Sequence, residues 1–340
     1  MVGYDEAIYR EVLEKAIDNI DEINAAVDGI CEKGYKNLYL VGSGGTYSMA
    51  SPVTYLLKTH SSIPWYWEIA AELVKAKPVS LGKDSVVITA SLSGTTVETI
   101  EAAKYAQSLG AKVISLVGED GCPLSECSDY VFENKKASND NLVEEIYIQY
   151  FAIAARFMKN NGEFPEYDSF MGALKKMPDV LQGVREQQDA AALEFATRHK
   201  DTPFHMCVGS GNVWGETYCF AMCVLEEMQW IATKSIHAAE FFHGTIEMTD
   251  PEMSFMLFKS EDETRPLVDR VERFVRQHTD KVQVWDTRDF KLEGVEESVR
   301  PLVSPLVMSA MLERVSTHLS ILRDHDLDIR RYYRVVSTND

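Results

Sequence analysis

The sequence Val41-Gly42-Ser43-Gly44 ends a short apolar run and opens a stretch with helical periodicity, and the same residue types recur as Val208-Gly209-Ser210-Gly211. The apolar run that follows the first copy ends in Ser91-Leu92-Ser93-Gly94-Thr95-Thr96. A strand that stops in small residues and turns into a helix presents free backbone N–H groups to an anion. The two copies therefore predict a duplicated α/β chain built around a phosphorylated ligand.

Short apolar runs alternate with helical periodicity along both halves of the chain. In the first half we predict strands over residues 37–41, 85–90, 112–117 and 130–132, and helices over residues 46–57, 95–109 and 141–158. In the second half we predict strands over residues 204–208, 253–258 and 282–286, and helices over residues 214–232, 265–278 and 305–322. Such alternation favours the α/β class, with parallel sheets covered by helices on both faces.

The same pattern divides the chain into five segments. A chain of 340 residues is consistent with about two domains. An amphipathic helical start precedes two α/β units, a charged helical stretch separates these units, and a polar tail closes the chain. The predicted bounds are residues 1–34 for the N-terminal helix, 35–165 for the first unit, 166–200 for the helical bridge, 201–323 for the second unit and 324–340 for the tail.

Composition excludes several classes of partner. Hydrophobic residues make up 45% of the chain, enough for complete cores, and the formal net charge is −19 (34 − 53). Such an acidic surface repels nucleic acid and anionic membranes, so we predict neither as a partner. No apolar run reaches the roughly 18 residues of a membrane span, and the start lacks a signal-peptide pattern, so we expect a cytoplasmic protein. The six cysteines include no Cys-x-x-Cys pair and are expected to be buried free thiols.

Two hydroxyl-rich loops are the candidate phosphate site. Glycine lets the backbone approach a ligand closely, and hydroxyl groups donate hydrogen bonds to phosphate oxygens without a lysine. The loops lack the Gly-Lys-Ser/Thr of a P-loop and the full dinucleotide fingerprint. The alternative is that these hydroxyls cap helices. The candidate residues are Ser43, Gly44, Gly45 and Thr46 in the first loop, and Ser91, Ser93, Gly94, Thr95 and Thr96 in the second.

Two adjacent glutamates, Glu226 and Glu227, interrupt an apolar helical stretch that runs from Tyr218 to Ile231. A helix that is apolar all round is usually buried, and neighbouring helical positions point about 100° apart. We therefore expect one of the two carboxylates to be desolvated, with the raised pKa that suits a general base. The alternative is a buried glutamate held by a structural partner.

Another polar segment is His237-Ala238-Ala239-Glu240-Phe241-Phe242-His243-Gly244. On a straight helix its two histidines would lie about 120° apart and roughly 9 Å along the axis. They would not converge on one ion, so we predict no metal site. His243, just before a glycine, fits a ring held at a turn beside a ligand, and the alternative is a core histidine.

A basic cluster, Arg330-Arg331-Tyr332-Tyr333, lies near the end of this acidic chain. Guanidinium groups bind phosphate and carboxylate through charge-assisted hydrogen bonds. The cluster would therefore contact such a ligand, or form a solvated tail paired with nearby acids. Composition favours the solvated tail.

Together these residues resemble the sugar isomerase (SIS) family. The turn at residues 41–47 and Ser91-Leu92-Ser93-Gly94-Thr95-Thr96 are similar to its two phosphosugar loops, and residues 225–250 resemble the catalytic segment of the isomerase half of glucosamine-6-phosphate synthase. The resemblance is closer to deglycases of phosphorylated Amadori products, at Glu227-Met228-Gln229-Trp230, at residues 240–244 and at residues 324–333. It implies two tandem SIS domains, each a flavodoxin-like three-layer α/β/α unit. The chain departs from the family where Ala238-Ala239 replaces Ser-Gly and Thr245 replaces proline.

The resemblance also implies a reaction, the cleavage of a fructosamine 6-phosphate to glucose 6-phosphate and a free amino acid without cofactor. Glu227 would remove a proton from C1, and His243 would open the ring or move protons on the sugar oxygens. In the family this histidine reaches the site from the partner subunit, which implies a homodimer or a higher even-numbered homo-oligomer with shared active sites. Glu240 and Arg331 are candidate contacts for the amine or acid group of the substrate.

Two other functions fit the same loops. One is isomerisation or deamination of another phosphosugar, such as a glucosamine 6-phosphate or a glucoselysine 6-phosphate, with the same base. The other is a sensor that binds a sugar phosphate without turnover. The acidic charge and the lack of a DNA-binding segment weigh against the sensor.

Overall fold

Two parallel sheets form the centre of the fold in a computed structural model that describes residues 1–135, 143–333 and 335–336. The first sheet has five strands in the order β2-β1-β3-β4-β5, and the second has four in the order β7-β6-β8-β9. All pairings within both sheets are parallel. The strands are β1 (Asn37–Gly42), β2 (Trp65–Ile69), β3 (Ser85–Ser91), β4 (Lys112–Val117), β5 (Tyr130–Glu133), β6 (Phe204–Gly209), β7 (Ala232–His237), β8 (Phe255–Lys259) and β9 (Val282–Asp286).

Helices cover the sheets and join the two halves. Short 3₁₀ turns occupy Ser125–Cys127, Gly211–Val213, Phe241–His243, Thr245–Met248 and Thr287–Asp289, and a π-helix spans Phe220–Met228. The α-helices are α1 (Glu6–Asp18), α2 (Ile20–Lys33), α3 (Gly45–Met49), α4 (Ser51–His60), α5 (Ala70–Ala76), α6 (Val97–Ser108), α7 (Glu144–Asn160), α8 (Tyr167–Leu174), α9 (Met177–His199), α10 (Trp214–Cys219), α11 (Arg265–Val275) and α12 (Arg300–Leu322).

The expected α/β class with two helix-flanked parallel sheets is confirmed. The fully buried strands β1, β3 and β8 lie in the interior of their sheets, and most of their residues are apolar or small. The sequence did not reveal β2 and β7. Both are edge strands with largely half-exposed or exposed residues, so neither carries the continuous apolar run of a buried strand.

Three predicted helices differ from the structure. The N-terminal helix is two helices separated at Asn19, whose side-chain amide donates to the carbonyl of Glu133 (2.8 Å). The predicted helix over residues 46–57 is the pair α3 and α4. The predicted helix over residues 214–232 ends at Met228 and changes from α to π geometry at Phe220. Residues 141 and 142 of the predicted helix 141–158 lie outside the described residues.

The core is built around α7 and α12, which are buried along most of their lengths. Helix α9, within the predicted bridge, packs along α12. Its Arg185 is fully buried and donates hydrogen bonds to Glu144 on α7 (2.6 Å) and Glu313 on α12 (3.0 Å). A buried guanidinium between two carboxylates ties three helices together, while the domain bounds proposed above stay a prediction.

Two smaller expectations concern membranes and thiols. Within the described residues, no helix is long and apolar enough to cross a bilayer. The six cysteines are free, as predicted. Only Cys127 and Cys207 are buried, and the other four are half-buried, so the expectation that all six are buried is wrong.

Candidate active site

The two candidate loops meet at the carboxyl end of the first sheet. β1 and β3 are adjacent parallel strands, so the loops that follow them start side by side. Gly44 has φ 57° and Gly94 has φ 62°, in the left-handed region that favours glycine. A Cβ atom at Gly94 would also lie 2.2 Å from Cys122 Sγ. The chain changes its direction of winding between β1 and β3. Open parallel sheets bind their ligands beyond the carboxyl ends of the strands at such a point.

The N-cap positions beside these loops do not use their side chains as caps. The N-cap residue of α3 is Gly44, which has no side chain, and Thr96, the N-cap residue of α6, makes no side-chain cap hydrogen bond. Thr96 Oγ1 instead lies 3.0 Å from Ser91 Oγ. Ser43 Oγ is buried and has no hydrogen-bond partner in the described part of the chain. Helix capping therefore does not account for these hydroxyls, which favours the ligand-binding interpretation.

Internal hydrogen bonds give each loop its shape. Thr46 Oγ1 donates to the carbonyl of Ser43 (3.1 Å) in the first loop. In the second loop, the backbone N–H and the hydroxyl of Thr95 both donate to Ser93 Oγ (3.3 and 3.0 Å). Gly45 is the first residue of α3 and continues the first loop.

One cavity of about 430 Å³ joins both loops to Glu227. Six of the nine predicted loop residues line it, whereas Gly45, Gly94 and Thr95 lie in the same loops without lining it. Glu227 comes from the second half of the chain, so both halves contribute to this cavity. The lining residues are Ser43, Gly44, Thr46, Met49, Ile69, Ala71, Ser91, Leu92, Ser93, Thr96, Glu98, Val143, Glu227, Met228, Arg330 and Tyr333.

The two glutamates have different surroundings from those expected. Glu226 is exposed and accepts a hydrogen bond from Thr233 Oγ1 (2.6 Å). The Glu227 side chain is 30% exposed and forms an ion pair with Arg330, whose Nε lies 2.9 Å from Oε1. The expectation of a desolvated carboxylate is therefore wrong for both residues in this chain. A neighbouring guanidinium favours the charged carboxylate, which is the form that accepts a proton.

The π-helix carries Glu227 and Met228 to the cavity edge. Its last turn closes with a hydrogen bond from the Gln229 N–H to the carbonyl of Val224 (3.0 Å), an i→i−5 pattern. The wider turn changes the angle between successive side chains from the roughly 100° of an α-helix. π-Helical turns often occur at functional sites.

A second cavity of about 470 Å³ shares Glu227, Arg330 and Tyr333 with the first cavity. It is lined mainly by aromatic and aliphatic groups from Trp230 and the chain's end, and the Arg331 guanidinium lies 3.9 Å from the centre of the Trp230 ring. The expected solvated tail is only partly found. Arg331, Tyr332 and Tyr333 are exposed, but the Arg330 side chain is 12% exposed and is paired with Glu227.

His243 and Glu240 do not join the cavity in a single chain. Both are exposed, and His243 ends the 3₁₀ turn Phe241–His243 that follows β7. His237, at the end of β7, is half-buried, and burial lowers its pKa. Among the described residues, no group of three or more His, Cys, Asp or Glu side chains could hold a metal ion.

In the second half of the chain, a carboxylate of the protein itself lies beside the Val208-Gly209-Ser210-Gly211 loop. The loop after β8 runs from Lys259 to the N-cap Thr264, as the loop after β3 runs from Ser91 to Thr96, and this alignment places Asp262 at the position of Gly94. Asp262 is buried and accepts four hydrogen bonds. The donors are Asn212 N–H (2.9 Å), Ser260 Oγ (2.7 Å), Thr264 N–H (2.7 Å) and Thr264 Oγ1 (2.6 Å).

Replacing Asp262 by alanine is expected to lower the free energy of unfolding by about 1–3 kcal/mol, because buried donors lose their acceptor. Urea denaturation followed by circular dichroism measures the change. Glu263→Ala is the control, since Glu263 is exposed and accepts one hydrogen bond from Tyr55 (3.2 Å). Equal losses in the two variants would mean that Asp262 has no special role in this loop.

Comparison with known proteins connects this geometry to a family. A model of the SIS domain matches residues 34–159. The chain is 30% identical over 315 residues to the fructosamine deglycase FrlB of Bacillus subtilis (strain 168), covering 92% of this chain and 95% of that protein. It is 23% identical over 328 residues to the fructoselysine 6-phosphate deglycase of Escherichia coli (strain K12), covering 96% of this chain and 94% of that protein.

A solved structure extends the same likeness to the whole fold. A protein of Salmonella typhimurium LT2 described as a phosphosugar isomerase superimposes with a TM-score of 0.88 at 32% identity. The alignment covers 95% of this chain and 99% of that chain. The resemblance inferred from the two loops and the glutamate segment is thereby confirmed. The chain belongs to the SIS domain family, and it is an enzyme of that family.

Proposed function

We propose that the enzyme is a deglycase that cleaves a phosphorylated Amadori product, a 1-amino-1-deoxyfructose 6-phosphate, to glucose 6-phosphate and a free amino acid. One observation carries the proposal: a single cavity holds both hydroxyl-rich loops and Glu227. The names of the relatives support the same class of substrate. A phosphorylated substrate would be met inside the cell, so the cytoplasmic location expected from the sequence is part of the proposal.

The loops would anchor the phosphate through backbone N–H groups and hydroxyls. Binding energy from this remote group would hold C1 of the substrate against the base. Because the protein carries a net charge of −19, the anion must be bound by local dipoles against an unfavourable long-range field. The candidate contacts are Ser43, Gly44, Gly45, Thr46, Ser91, Ser93, Gly94, Thr95 and Thr96.

Glu227 would act as the general base. It removes a proton from C1, and the electron pair moves to the C1–C2 bond to give an enaminol. Protonation at C2 then yields a C1=N Schiff base. Water adds to C1 of this imine and the C–N bond breaks, which releases glucose 6-phosphate and the amine. The sugar's own carbonyl and imine serve as electron sinks, so these steps require no cofactor.

His243 is proposed to reach the cavity of a partner subunit. It is exposed in the single chain and lies outside the cavity that contains Glu227. A homodimer or a higher even-numbered oligomer would bring it to the ring oxygen for ring opening or proton transfer. Glu240 precedes the same 3₁₀ turn and would arrive with it.

The amino acid part of the substrate would enter the second cavity. This cavity begins at Glu227, where C1 must lie, and its walls include Trp230 and Tyr332 for the aliphatic part of an amino acid. Arg331 is proposed to bind the carboxylate of the leaving amino acid, because its guanidinium is held over the Trp230 ring and lines this cavity.

Release of glucose 6-phosphate from fructoselysine 6-phosphate, coupled to a dehydrogenase, tests the function. The deglycase predicts equimolar glucose 6-phosphate and lysine. Fructose 6-phosphate and glucosamine 6-phosphate are the comparison substrates, since an isomerase or a deaminase would convert these instead. Ligand binding without turnover of any of the three would refute cleavage of fructoselysine 6-phosphate and would favour either another amine or a sensor.

A further inference from the structure

The roles proposed for the two loops and for Glu227 leave the position of Arg330 without a function. It is contributed by the segment after α12, yet it lines both cavities and contacts Glu227. We propose that Arg330 is a further catalytic residue, which orients Glu227 with one edge of its guanidinium and binds the substrate oxygen on C2 with the other. This inference rests on the proposed deglycase function.

Part of the Arg330 guanidinium is hydrogen-bonded to other groups of the protein. Nε donates to Glu227 Oε1 (2.9 Å), and Nη1 donates to the carbonyls of Leu327 and Ile329, the latter at 3.2 Å. Within the described residues, Nη2 makes no hydrogen bond to the protein. A guanidinium has five N–H donors in a fixed fork, so the Nη2 pair is available to a ligand in the cavity.

The chain around Arg330 is fastened to the segment that follows the π-helix. Gln229 Nε2 donates to the carbonyl of His325 (2.9 Å), and Arg323 Nη2 donates to the carbonyl of Gln229 (3.1 Å). The rings of Trp230 and His325 lie 4.3 Å apart, edge to face. These contacts fix the backbone on both sides of the ion pair. Arg330 is thus held at the base by the fold and not only by its charge.

The reaction needs positive charge at this place. When the base takes the C1 proton, negative charge develops on the oxygen bonded to C2. C2 is the carbon next to the reacting carbon, C1. Fixed donors aimed at developing charge are usually the largest electrostatic contribution to catalysis. Glu227 and Arg330 lie in one ion pair at the cavity edge, so a C1 atom beside the carboxylate places the adjacent oxygen within reach of the guanidinium.

Arg330→Ala is expected to lower kcat about 10²–10³-fold, the usual cost of losing one such donor. The acid limb of the kcat/KM profile should move to higher pH, because the Glu227 carboxylate loses a neighbouring cation. Guanidinium chloride at a non-denaturing concentration should restore part of the activity, whereas an equal concentration of sodium chloride should not. Arg330→Lys should keep more activity than Arg330→Ala, since a charge remains without the fork.

Two controls separate this role from a structural one. Arg323→Ala removes a backbone contact of the same segment without changing the charge at Glu227, so guanidinium should not rescue it. Wild type and Glu227→Gln are assayed in parallel. An inactive wild type would refute the proposed function itself. An active wild type with an inactive Glu227→Gln, together with an unchanged kcat and pH profile in Arg330→Ala, would refute the role of Arg330 alone.

Discussion

Replacing Glu227 by glutamine is expected to lower kcat about 10²–10⁴-fold, the range attributed to general acid–base catalysis. Glutamine keeps the size of the side chain but cannot accept the C1 proton. Substrate affinity should change much less, because the loops that would hold the phosphate belong to β1 and β3 in the other half of the chain. Steady-state release of glucose 6-phosphate gives kcat, and calorimetric titration of the phosphosugar gives the affinity.

Glu226→Gln is the matched control for this experiment. It removes the same charge one residue earlier, at an exposed carboxylate that accepts a hydrogen bond from Thr233. Only the loss at Glu227 should reach the range above. Comparable losses in both variants, or full activity in Glu227→Gln, would contradict the assignment of the base.

Replacing Arg185 by methionine is expected to lower the free energy of unfolding by about 3–5 kcal/mol. Methionine has a similar length and no charge, so Glu144 would remain buried without its cation and Glu313 would keep only its pair with Arg314. Taking charges out of water is costly unless a partner compensates them, and removing one partner leaves that cost in place. Guanidinium chloride denaturation, followed by both fluorescence and circular dichroism, measures the loss.

An exposed ion pair on the same helix provides the comparison. Arg198 and Glu194 on α9 are 59% and 70% exposed, so Arg198→Ala should cost no more than about 1 kcal/mol. If the free energy of unfolding fell as little in the Arg185 variant as in the Arg198 variant, water would have replaced Arg185 beside the buried carboxylates. Activity at low temperature should persist in both variants, because neither arginine lines the cavity with Glu227.

The interior strands of both sheets, and most residues of the candidate site, could be predicted from the sequence alone. Apolar runs mark β1 and β3 because both faces of a parallel sheet are buried, and the small residues after them mark the turns at the cavity. Glu227 was identified by its polarity within an apolar stretch and by its resemblance to the family. These signals are local, so they can be read from neighbouring residues.

Other features depend on contacts that no local pattern encodes. The pair of Arg330 and Glu227 joins residues 103 positions apart. The expectation of a desolvated carboxylate was wrong, because the Glu227 side chain keeps 30% of its surface exposed and the end of the chain returns to supply a cation. The π-helix Phe220–Met228 has no sequence signature either, since its residues would also fit an α-helix. The edge strands β2 and β7 lack the apolar run that identifies a buried strand.

The carboxylate of Asp262 makes the two halves of the duplicated chain thermodynamically unequal. A ligand that binds only the folded state stabilises it by an amount that grows with the logarithm of the ligand concentration above its Kd. Asp262 is a covalently attached anion, so the second cradle is satisfied at any concentration of free solutes. The stability of the loops after β1 and β3 should instead depend on how much phosphosugar is present. The supply of phosphosugar would therefore change the stability of the first pair of loops, while the loop that contains Asp262 keeps its own anion at every substrate concentration.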